Sequence, residues 1–157
     1  MTFLERFQTF VCEGDRIDTE VDGFLITARI MRDDCPDAPD QRQDGFWPSL
    51  YKDAPGFIGP GNGFRARFDK AQARAEEIMR AWREDEWFYC GIVLSISFEG
   101  VLLDDHAASL WGIEANYPES DNRYLTETAE ELLHDALTTG RASVARICAA
   151  NTPDTVQ

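Results

Sequence analysis

Asp104, Asp105 and His106 stand side by side in the chain. Carboxylates and imidazole are both metal ligands and acid–base groups, so this is the first place to look for chemistry. A polar bulge or turn accounts for the triplet without an ion, and a small hydrolase built on it is the enzymatic alternative. The other histidine, His134, lies one helical turn from Glu130 and Glu131 on a face that reads as solvated, whereas catalysis needs a pocket. No Ser/His/Asp or Cys/His set can be assembled. Carboxylates are so numerous that no single pair is informative. Gly59-Pro60-Gly61-Asn62-Gly63 has neither the G-x-G-x-x-G spacing nor a phosphate-loop lysine. Cys12, Cys35, Cys90 and Cys148 are scattered, with no C-x-x-C, and read as buried, reduced thiols of a cytoplasmic protein in a bacterial host cell. The expectation is no catalytic residue, no metal and no cofactor.

Charge is the stronger signal. The chain has 157 residues and carries 29 acids against 15 Lys and Arg, a net charge of −14, where small domains are commonly built with a magnitude of roughly 2–8. Residues 91–140 hold ten of the acids and one base, Arg123, whereas residues 61–90 are neutral with six of each. Such a field repels nucleic acid and anionic membrane and attracts a basic protein groove. The expected partner is therefore a basic nucleic-acid-binding protein or complex, with no direct nucleic acid and no membrane. The candidate surface is Asp104, Asp105, Glu114, Glu119, Asp121, Glu127, Glu130, Glu131 and Asp135, with a solvated acidic face as the plain alternative. Phe46, Trp47 and Tyr51 are the alternative contact residues.

These side chains need elements to hold them. Residues 2–12 place Phe3, Leu4, Phe7, Phe10 and Val11 at helical spacing, with Thr2 and Glu5 as a capping box. Residues 16–31 alternate about Asp22-Gly23, the pair a tight hairpin turn prefers. Residues 33–64 hold five prolines and five glycines yet also Phe46, Trp47, Leu50, Tyr51, Phe57 and Ile58. This long segment is either an ordered loop that lays its aromatics over the sheet or a partner-binding loop. A helix is predicted over 68–84, a core strand over 87–98 and a return strand over 101–112, kinked at Asp104–His106. A second long helix is predicted over 123–138, ended by Gly140, with another turn or two around Val144–Cys148. The fold expected is α+β, a four-stranded antiparallel sheet from two β-hairpins with helices packed on one face. It would form a single domain over 1–150 with a frayed tail over 151–157.

Glu86–Ser95 (EWFYCGIVLS), Ser109–Glu114 (SLWGIE) and Tyr124–Leu133 (YLTETAEELL) resemble a family of small acidic proteins of mostly unassigned function, encoded in bacteriophages and integrated mobile elements. Val21-Asp22-Gly23 with Ile26–Ile30 fits the same pattern, and the resemblance covers roughly two thirds of the chain. The Pro/Gly segment lies outside it, and Leu103–Ala107 is longer and more acidic than the pattern. The resemblance implies no catalytic residues and a setting in which small acidic proteins disable host defences. The function it suggests is inhibition of a CRISPR effector or restriction enzyme, with nucleic-acid charge mimicry as the means. The alternative is a phage structural or replication accessory protein that binds another protein.

Overall fold

A computed structural model describes residues 1–59 and 61–151; the predicted tail lies outside them from residue 152 onward. Two antiparallel hairpins make one sheet. β1 (Arg16–Val21) and β2 (Phe24–Arg32) turn at Asp22 and Gly23, whose φ angles are 52° and 83°. β3 (Phe88–Phe98) and β4 (Val101–Ala115) turn at Glu99 and Gly100, at 49° and 79°. Two consecutive positive φ angles give the twist that matches a hairpin. The strand order is β1-β2-β3-β4. The chain is thus α+β with a four-stranded antiparallel sheet, as its alternation predicts.

Register builds the core. Ile26 lies opposite Ile96, Ala28 opposite Leu94 and Ile30 opposite Ile92, and all six are fully buried. Leu125, Ala129, Leu133, Ala136 and Leu137 close over them in the same cluster. Each fully buried Leu or Ile contributes ~1.5–3 kcal/mol. Tyr89 and Val93, on the other face of β3, are buried as well. β4 spends fifteen residues against eleven in β3 and shifts register three times. The first two shifts fall between Ile113 and Leu110 and between Ala108 and Asp104, so the predicted irregularity at Asp104–His106 is a true bulge.

Three elements differ from expectation. Residues 2–12 form no helix. Phe3, Phe7 and Val11 are buried while Leu4 and Phe10 are exposed; a spacing of four is also twice the strand period of two, so an extended, bent segment satisfies it. Its amides go to side chains instead: Phe7 N–H donates to Thr126 Oγ1 at 3.0 Å and Val11 N–H to Asn116 Oδ1 at 2.9 Å. The second long helix is two helices, α3 (Arg123–Glu131) and α4 (Leu133–Ala150). They are joined at Leu132, whose ψ of −10° falls short of the helical value of about −42°. Gly140 does not end the helix but sits buried inside α4. A Cβ there would stand 2.3 Å from Ile96 Cδ1, so glycine lets α4 approach β3.

The chain divides into two compact units. One is residues 1–33 with the chain from Phe88 onward, described above. The other is Asp34–Trp87, with α1 (Pro39–Arg42) and α2 (Phe64–Arg83). α2 begins four residues before the predicted start, after Gly63 at φ 69°. Between the two helices the chain folds on itself: Ser49 N–H donates to Gly56 O and Ile58 N–H to Ser49 O, both at 2.8 Å. Trp87 Nε1 donates to Ile78 O at 2.9 Å, which ties the end of this unit to α2. Among the described residues no helix is long and apolar enough to cross a membrane.

Candidate partner-binding surface

Two side-chain bonds align the acidic segments of the first unit. The Tyr124 hydroxyl donates to Glu114 O, and Thr139 Oγ1 donates to Ala107 O at 3.2 Å. As residue number rises along α3 and α4 it falls along β4, so the strand and the helices run side by side in opposite directions. This places Glu114 beside the start of α3. Asp104 and Asp105, further along β4 than Ala107, lie beside the second half of α4, two to three turns past Asp135.

Local bonds fix each acid differently. Asp104 is half-buried, and its Oδ1 accepts the His106 amide at 2.8 Å. Asp105 is exposed, its Oδ1 lying 3.3 Å from His106 Nδ1, and its carbonyl accepts Arg29 Nη2 at 3.0 Å. The triplet is thus a self-bonded bulge, and no cluster of three or more His, Cys, Asp or Glu side chains suited to a metal occurs among the described residues. Glu114 is half-buried, and burial pushes its carboxyl pKa above the usual carboxylate range; burial likewise pushes the Tyr124 phenol up to about 12. Glu127, Glu131 and Asp135 are exposed, whereas Glu130 is half-buried.

Glu130 lines a cavity of about 550 Å³ at the start of α3. Asp121, Glu127 and Glu130 meet Arg6 and Arg123 there, and Arg123 lies 3.4 Å from Asp121. Three of the nine predicted acids therefore share one cavity, and two cations interrupt the negative surface at that end. Glu119 is exposed beyond it, at a left-handed φ of 69°.

Asn116 and Asn122 hold this end together, and the sequence reading passed over both. Asn122 is fully buried. Its Nδ2 donates to Thr9 O and to Asn116 Oδ1, and its Oδ1 accepts the Asn116 amide, all at 2.9 Å. Asn116 Nδ2 donates to Val11 O at 2.8 Å. Both asparagines have positive φ, 62° and 61°, a conformation Asn adopts more readily than most residues. Their presence between a strand and a helix was the available signal. The clamp ties the N-terminal segment, and with it Arg6, to the loop that carries Glu119 and Asp121.

The alternative contact residues belong to the second unit. Phe46 and Trp47 are half-buried against each other, edge to face at 5.3 Å, and Trp47 Nε1 donates to Asp40 Oδ2 at 3.3 Å. Tyr51 is 81% exposed.

No protein-family model matches the chain, and neither a curated protein nor a solved structure matches it significantly.

Proposed function

We propose that this chain is a binding protein of phage or mobile-element origin that inhibits a host nucleic-acid-handling defence machine, a CRISPR effector or restriction enzyme, through its acidic flank. The observation that carries the reading is the antiparallel alignment of β4 with α3 and α4. Fifteen residues separate Tyr124 from Thr139, about 22 Å of helix. A nucleic-acid strand spaces its phosphates ~3.4 Å apart. The helices alone space theirs at ~4.5–6 Å, wider than that pitch; Asp104, Asp105 and Glu114 on β4 add carboxylates alongside them, at the two ends of the strand. A groove that binds phosphates is lined by Lys and Arg, and a row of carboxylates competes for them by the same Coulombic attraction.

The test is biological. Expressed in bacteria carrying a defined restriction or CRISPR system, the chain should raise the plating efficiency of a targeted phage. No rise across a panel of such systems would count against the proposal.

A further inference from the structure

Within the second unit, α2 opens with a surface of the opposite sign. Phe64–Arg74 contains Arg65, Arg67, Lys70 and Arg74 against one acid, Asp69. At 100° per residue, Arg67, Lys70 and Arg74 fall within about 60° of one another, and all three are exposed. Phe64 lies one turn before Arg67 on the same side of the helix.

Beside this row is an apolar cavity of about 270 Å³, lined by Leu50, Phe57, Ile58 and Phe64. Leu50 is 48% exposed and Phe64 42%, so the cavity mouth is open. Arg67 sits at its edge, its Nη2 donating to Gly59 O at 2.9 Å, directly after Phe57 and Ile58 in the chain. Large aliphatic and aromatic side chains left in the open around a concavity mark a contact site.

We infer that this cavity and the Arg67–Lys70–Arg74 row together bind an acidic peptide segment of a partner protein, one apolar side chain filling the cavity and its neighbouring carboxylates meeting the row. Charge complementarity selects the occupant. The row is locally cationic, but the whole chain carries −14. A nucleic-acid strand, with a charge at every phosphate, meets that field along its whole length. A short peptide with two or three carboxylates meets far less of it and gains the apolar anchor besides. The cavity walls include the aliphatic side chains Leu50 and Ile58, which suit an aliphatic or phenyl group better than a stacked base.

A random-peptide display library panned against the full chain tests this directly. Selected peptides should carry Leu, Ile or Phe flanked by Asp or Glu. Their affinity should fall at least about tenfold in both Phe64→Ser and Lys70→Glu, and oligothymidylate should not displace them. Basic selected peptides, no selection at all, equal binding to both variants, or displacement by oligothymidylate would each overturn the inference. Lys70→Glu changes only an exposed charge, so it carries the test even if Phe64→Ser misfolds.

Discussion

The acidic flank of β4, α3 and α4 and the aromatic segment of the second unit show two ways of exposing side chains. The flank rests on a fully buried layer, Ile92, Leu94, Ile96, Leu125 and Leu133, and its loop is clamped by the buried Asn122 and the half-buried Asn116. Its charges are held by a rigid scaffold that sets their spacing. The aromatic segment is held by short backbone turns and one isolated bridge between Ser49 and Phe57, and it leaves Leu50, Tyr51 and Phe64 open. A patterned electrostatic surface needs fixed geometry, whereas an apolar cavity can adapt to its guest.

The sharpest way to break the contrast is to remove its foundation. Ile92→Ala should destabilise the first unit by ~2–5 kcal/mol in urea unfolding, since it leaves a cavity under the whole flank. Asn122→Ala should cost ~1–3 kcal/mol, because it strands Thr9 O and the Asn116 groups and puts alanine at positive φ. By contrast, Tyr51→Ala should change stability by less than ~0.5 kcal/mol. A large loss there would show that the aromatic segment is as tightly built as the flank.

Glu114 sharpens the comparison through pH. Its folded pKa is raised by burial, so the folded state takes up a proton before the unfolded state as pH falls toward the ordinary carboxyl range. Stability from this group is present at low pH and lost as pH rises through the folded pKa. Glu114→Gln should therefore raise the urea midpoint at neutral pH and flatten its pH dependence above the ordinary carboxyl range. An unchanged profile would show that Glu114 is solvated like Glu127. The thiols give the smallest effect. Against the expectation of buried thiols, Cys12, Cys35 and Cys148 are exposed and Cys90, on the core face of β3, is buried; burial raises its pKa to about 12. Native protein should alkylate at three cysteines quickly and at Cys90 only on unfolding. Rapid labelling of Cys90 would mean that β3 opens readily.

The hairpins and β3 were legible because a period of two and the Asp-Gly and Glu-Gly turns point to the same structure. The burial of Phe3, Phe7 and Val11 was legible too, but not their backbone, since every fourth residue faces inward in a helix and in an extended chain. Gly140 was misread because a helix-ending glycine and a close-packing glycine look alike until Ile96 is placed beside it. The exposure of Glu127, Glu131 and Asp135 followed from the apolar stripe opposite. That Glu130 shares a cavity with Arg6 did not, because Arg6 is more than a hundred residues away in the chain. The asparagine clamp escaped for the same reason: its partners, Thr9 and Val11, are equally distant in sequence.

In the proposed function the fixed acidic flank, and not the open aromatic segment, carries the inhibitory contact. The most direct measurement replaces Glu127, Glu130, Glu131 and Asp135 with lysine, and in a parallel variant with Gln and Asn. Each variant is assayed for plating rescue in the strain where the parent chain rescues phage, with circular dichroism to confirm the fold. The folded lysine variant should lose rescue, and the neutralised variant should retain only part of it. A folded lysine variant that rescues as well as the parent would contradict the proposed function.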